Sequence, residues 1–266
     1  MTFGQRLRDL RRARIALALV GAALVTVALV SASSSSDEPP GSSLPNPVEP
    51  GFRIPAPALL EQSRHLARWA PVRQAVAARS APGPGARVVA EIDTRTPEGT
   101  ENVVQVIGKA RRSAGRLWVR ARLPVLPNGT TGWLPRRALG GYGLVRTRLL
   151  VDRARLRATL FRNGRRVFSA RVGIGEARYP TPAGRFYIRN KLTSYSSPTY
   201  GPLAFGTSAR SAVLTDWPAG GYVGIHGTDQ PGILPGRVSH GCIRMANAAI
   251  LELGRLMPVG TPLRVI

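Results

Sequence analysis

One cysteine, Cys242, stands in a chain of 266 residues, which excludes an internal disulfide and makes the reactivity of that thiol the thing to explain. Histidine is nearly as scarce. Two of the three, His226 and His240, lie close to Cys242 in sequence, in Gly224-Ile225-His226-Gly227-Thr228 and Ser239-His240-Gly241-Cys242-Ile243-Arg244-Met245. Acidic residues are the third shortage, 14 against 38 basic, giving a net charge of +24 in which nearly every positive residue is arginine. Between residues 142 and 266 the only carboxylates are Asp152, Glu176, Asp216, Asp229 and Glu252. The apolar fraction of 43% is ordinary for folded protein, and the length suits two domains.

Along the chain, Arg6, Arg8, Arg11, Arg12 and Arg14 precede the uncharged run 15–30, the pattern of an export signal. At about 1.5 Å per residue this run falls a little short of a bilayer core of roughly 30 Å. Residues 1–32 therefore fit a cleavable signal, with Val30-Ser31-Ala32 as a small-residue site, as well as a signal anchor. The positive-inside rule sends the remainder outward, to periplasm or cell wall. No cysteine follows the run, which excludes a lipoprotein anchor. Residues 33–55, rich in serine and proline, read as a disordered tether. Leu59, Leu60, Leu66 and Trp69 then recur at roughly helical spacing, predicting a short amphipathic helix over 56–70.

From 72 to 141 short alternating runs separated by turn residues predict a small β domain, with strands around Val88, Val103 and Trp118. The segment Pro127-Asn128-Gly129-Thr130-Thr131-Gly132-Trp133-Leu134 weakly resembles a bacterial SH3-like module. Such a module would bind the wall or serve as a spacer, with Trp118 and Trp133 more often core than ligand platform. Residues 143–266 open with a strand at 149–151, a hairpin over Asn163-Gly164 and a return strand at 167–172. Further strands over 186–188 and 223–225 place His226 at a strand end. Asn247 is a candidate N-cap for a helix through Leu256, ended by Pro258, before a last strand at 263–266. The fold class expected is mostly β with short helices, preceded by an apolar N-terminal helix.

Two chemistries fit His226, His240 and Cys242. One is a thiol nucleophile with an imidazole base; the other is three zinc ligands around an open position. Zinc sites add second-shell carboxylates, which are scarce here, so neither metal nor other cofactor is expected. Gly241 lets the backbone bend, bringing its own N–H and that of Cys242 to a developing oxyanion. Proximity nominates His240 as the base, but the bend that Gly241 permits can swing its ring away, whereas His226, at the end of a neighbouring strand, can approach the sulfur across the fold. The 194–205 loop carries Tyr195 and Tyr200, which either line a groove or pack the loop.

These motifs, with Thr181-Pro182-Ala183-Gly184-Arg185-Phe186 upstream, resemble the L,D-transpeptidase (YkuD) catalytic domain from about Gly143 onward. Where members making mycobacterial-type cross-links usually have serine after the first histidine and asparagine two places after the cysteine, this chain has Gly227 and Arg244, as in the Bacillus-type branch. The resemblance implies an exported enzyme that acylates Cys242 with a peptidoglycan stem peptide, releases D-alanine and cross-links stems. It makes His226 the base, oriented by the Gly227 carbonyl, and Arg244 the group that holds a substrate carboxylate through its planar fork. His240 shapes the thiolate environment. Ser239 and Thr228 hold the loops, Thr228 also standing at the substrate side. The rival readings are an L,D-carboxypeptidase using water as acceptor and a non-catalytic wall-binding protein. The positive charge suits anionic wall polymers or lipid headgroups; no nucleic-acid motif accompanies it.

Overall fold

The computed structural model describes residues 65–108, 110–193, 197–214 and 221–266. The expected export segment and tether, with most of the 56–70 stretch, lie outside these. Among the described residues no helix is long and apolar enough to cross a membrane.

Two sheets follow one another. The first holds β1 (Ala67–Pro71), β2 (Val76–Arg79), β3 (Val88–Ile92), β4 (Val103–Val106), β5 (Arg111–Ser113), β6 (Arg116–Arg122), β7 (Thr131–Pro135) and β8 (Gly143–Val145). Their order is β3-β2-β7-β6-β4-β1-β8, with β5 paired to β6. Strand β1 corrects the end of the helix expected over 56–70, whose residues 56–64 lie outside the described ones. Its Trp69 lies level with Gln105 of β4 on one side and Gly143 of β8 on the other, so pairing with two distant strands outweighs a helical spacing of leucines. At Gly143 a Cβ would run into the Trp69 indole. Trp118, only 3% exposed, is buried as expected of a core residue.

The second sheet takes β9 (Thr147–Asp152), β10 (Arg157–Arg162), β11 (Arg165–Arg171), β12 (Gly173–Gly175), β13 (Gly184–Leu192), β14 (Ala204–Arg210), β15 (Tyr222–His226), β16 (Gly236–Ser239), β17 (Ile243–Arg244) and β18 (Pro262–Val265). The order is β11-β10-β9-β18-β13-β14-β15-β17-β12-β16. The Asn163-Gly164 turn adopts φ of +50° and +81°, the left-handed pair that lets two residues join antiparallel strands. On β10, Ala158 and Leu160 face inward, and Phe168 on β11 joins them. Buried Leu160 and Phe168 each stabilise by about 1.5–3 kcal/mol, the single methyl of Ala158 by less.

Helix α1 (Asn247–Leu256) buries Ile250, Leu253 and Gly254. Gly254 lets Leu203 pack close, since a Cβ there would come within 2.7 Å of Leu203 Cδ1. Asn247 is not its N-cap: Ala246 holds that position without a side-chain bond, because the Asn247 amide oxygen is engaged by the Thr228 N–H at 3.0 Å. The helix is thereby fastened to the loop that follows His226.

Candidate active site

Parallel pairing of β15 with β17 sets the geometry, with Ile225 level with Ile243 and His226 level with Arg244. One step back, the Gly224 N–H donates to Cys242 Sγ at 3.3 Å. A Cβ built on Gly224 would lie 3.8 Å from both Cys242 Sγ and His226 Cδ2. Sulfur and imidazole therefore flank the same small space, which glycine leaves open.

The Gly227 carbonyl, an acceptor only, takes a hydrogen bond from His226 Nδ1 at 2.6 Å. The proton of a neutral ring is thereby on Nδ1 and Nε2 carries the lone pair. The Tyr200 ring packs against His226 with centroids 4.6 Å apart. Burial pushes His226 down to about 4; the bond to Gly227 partly offsets this, and the Arg244 charge adds to it. Burial also pushes the Cys242 thiol up, against the opposing pull of the Gly224 N–H and the Arg244 charge. The resting pair is a neutral thiol beside a neutral imidazole.

The turn before Cys242 is braced on both sides. Gly241 sits at φ +111°, a conformation that a side chain would strain. Its carbonyl accepts from Thr181 Oγ1 at 2.8 Å, and that hydroxyl in turn accepts from the Gly175 N–H at 2.8 Å. Ser239 Oγ donates to the Cys242 carbonyl at 2.6 Å and accepts from the Gly241 N–H at 3.2 Å. This corrects the expectation that the Gly241 N–H is an oxyanion donor: it is bonded to Ser239. The Cys242 N–H has no acceptor among the described residues.

A cleft of about 270 Å³ opens at the thiol, lined among others by Tyr200, Tyr222, His226, His240, Cys242 and Arg244. Arg244 Nε is buried with no hydrogen-bond partner among the described residues. His240 is exposed, its ring 4.9 Å from that of Tyr179. Thr228 does not join the cleft. It is 2% exposed, its N–H bonded to Asn247 and its hydroxyl to the Gln230 N–H at 3.1 Å. Tyr195 lies outside the described residues. No group of three His, Cys, Asp or Glu converges as metal ligands among the described residues.

Four contributors were not singled out from sequence: the Thr181 hydroxyl, the Asn247 amide, the Gly224 N–H and Tyr222. For Thr181 a signal existed in the Thr-Pro-Ala-Gly segment. The others follow from pairings across the sheet that no local pattern announces.

A β-rich scaffold with a thiol, a buried imidazole and an arginine lining one cleft is the arrangement to compare with known proteins. Residues 146–265 match the profile of the YkuD family, the L,D-transpeptidase catalytic domain. Over this stretch the chain is similar to that catalytic domain. A Bacillus subtilis protein bearing the name L,D-transpeptidase YkuD is 33% identical over 103 residues, 39% of this chain and 56% of that protein. Its Bacillus licheniformis namesake is 32% identical over 102 residues, 38% of this chain and 54% of its own. The chain thus spans little more than half the length of these curated relatives. Among solved structures, the NMR structure of the catalytic domain from an Enterococcus faecium L,D-transpeptidase is 27% identical. It covers 45% of this chain and 96% of that one with a TM-score of 0.34.

Proposed function

We propose that the chain is an exported cysteine L,D-transpeptidase that acts on peptidoglycan stem peptides and needs no metal or other cofactor. Cys242 Sγ attacks the carbonyl on the L-centre of the third stem residue while His226 Nε2 takes the thiol proton. The Cys242 N–H meets the developing oxyanion, a type of contact that contributes about 3 kcal/mol where such donors have been removed. The carbon–nitrogen bond to D-alanine then breaks, and the proton on His226 passes to the departing amine. A thioester remains on Cys242. An amine from a neighbouring stem attacks it, giving up a proton through His226 to the leaving sulfur, and a new amide joins the two stems.

The observation that carries this reading is the His226 Nδ1 to Gly227 bond, which leaves Nε2 unprotonated on a ring whose Cδ2 edge flanks the space shared with Cys242. Arg244, with guanidinium donors left over at the cleft, pairs with a carboxylate of the acidic stem. His240 and Tyr200 shape the walls, and Ser239 and Gly241 hold the turn. Export rests on the basic flank and apolar run at the N-terminus, which attaches the chain to the membrane or is removed. The excess of arginine draws the enzyme to anionic wall polymers.

Incubating the purified chain with tetrapeptide-bearing muropeptides tests the proposal. Cross-linked dimers with free D-alanine are expected. Tripeptide monomers with D-alanine would make it a carboxypeptidase, and unchanged substrate would make it a non-catalytic binding protein.

A further inference from the structure

Among the described residues Arg189 is the largest side chain to be fully buried, at 1% exposure. A guanidinium out of water needs a counter-charge, and the nearest one comes from the other sheet. Arg189 donates to Glu98 Oε1 at 2.7 Å, and Glu98 lies in the turn between β3 and β4. The same carboxylate accepts from Asn190 Nδ2 at 3.1 Å through its second oxygen, and Thr100 Oγ1 takes that amide at 3.0 Å. Asn190 then accepts from the Gly206 N–H on β14 at 2.8 Å. The ion pair thus reaches from the first sheet into the strands that carry the cleft.

On its other side the Arg189 guanidinium lies 3.8 Å above the centre of the Tyr222 ring, and Tyr222 lines the cleft that holds Cys242. The Tyr222 hydroxyl donates to the Pro124 carbonyl of the first sheet at 2.8 Å. Four residues further, Asn128 acts as a one-residue strand. Its amide donates to the Arg210 carbonyl at 2.7 Å and accepts from the Arg210 N–H at 3.0 Å. Arg210 is level with Tyr222 in the β14–β15 ladder and is followed by Ser211, another cleft residue. Two loops of the first sheet therefore grip the strand ends at one edge of the cleft.

We propose that the first sheet is a structural part of the substrate cleft, with Glu98 and Asn128 as positioning residues. They hold Tyr222 and the end of β14 as the wall against which the donor peptide lies, and they leave Cys242 and His226 untouched. This deepens the transpeptidase reading and rests on it for its kinetic consequence. A platform that only tethered the enzyme to the wall would need no buried charge shared with the catalytic sheet.

The test uses the full chain with Glu98→Gln, which keeps the shape but removes the counter-charge, and Asn128→Ala, which removes no charge. Three quantities are read: KM and kcat for a tetrapeptide muropeptide donor, the rate of Cys242 alkylation by iodoacetamide, and amide exchange over 204–214 and 221–226. We expect KM to rise about tenfold, equivalent to about 1.4 kcal/mol of lost donor binding, with kcat and alkylation near wild type and exchange faster in those segments. Glu98→Asp, which keeps the charge, is expected to recover part of the loss. Unchanged KM with unchanged exchange overturns the proposal, and so does a fall in alkylation that tracks the loss of acylation. Should Glu98→Gln fail to fold, Asn128→Ala decides. If the wild type turns over no stem peptide, the functional reading falls, while exchange alone still decides whether the first sheet holds the wall.

Discussion

At the Cys242 thiol and the His226 imidazole, burial works against charge on both groups at once. With His226 pushed down to about 4 and the thiol pushed up, a resting thiolate–imidazolium pair is disfavoured and the proton moves only as the carbonyl is attacked. The pH dependence follows from the sign of the His226 shift. Protonation below its lowered value removes the base, and above that value the imidazole is already neutral. The acid limb of kcat/KM for acylation is therefore expected near pH 4, with little change between about pH 5.5 and 7.5. An acid limb at 6.5, the ordinary histidine value, would contradict this environment for the base. Arg244 gives a second prediction. Lysine keeps the charge and loses the fork, so Arg244→Lys should lower donor kcat/KM by about ten- to a hundredfold, the worth of a charged hydrogen bond of roughly 1.5–3 kcal/mol. The exposed Arg165→Lys should leave it unchanged, and equal effects would demote Arg244 to scaffold.

Among the elements, the turn before Cys242 depends on one hydroxyl bridging two backbone groups. Thr181→Val keeps the shape and strands the Gly175 N–H and the Gly241 carbonyl, both bonded to that hydroxyl. Leaving buried polar groups without partners costs about 1–3 kcal/mol each. Thermal unfolding should shift down, and kcat should fall more than KM rises because the Cys242 N–H loses its aim. A kcat equal to wild type would show that the turn holds itself. These elements also show what the sequence disclosed. The Asn163-Gly164 hairpin and the strand ending on His226 were legible because turn chemistry and alternation are local. The Gly227 carbonyl as orienter came from the family resemblance, not from spacing. Strand β1 was misread because its partners lie in β4 and β8, far along the chain. The assignment of the Gly241 N–H to the oxyanion failed on the rotamer of Ser239, and Asn247 was read as a cap because no pattern along the chain places Thr228 beside it.

For the molecule as a whole, the net charge of +24 is distributed with little regard for its own repulsion. Across the second sheet Arg157 stands opposite Arg171, Arg162 opposite Arg165 and Arg185 opposite Arg264, pairings that destabilise a ladder when the charges are alike. A surface of this kind favours a polyanion laid across it. Binding to whole sacculi should weaken steeply between low salt and about 0.5 M salt, as screening shortens toward a few ångströms. Turnover of a small soluble muropeptide should change far less. Equal salt sensitivity would place the attraction in the cleft and not on the surface. The charge was countable from composition, but its placement on facing strands required the register.

The central claim is that Cys242 carries the acyl group, and intact-mass analysis of the full chain during turnover of a tetrapeptide muropeptide tests it most directly. The account predicts an adduct equal to the donor less D-alanine, located on the peptide containing Cys242, absent in Cys242→Ala and formed far more slowly in His226→Ala. An adduct that persists in Cys242→Ala, or D-alanine release by that variant, would contradict it.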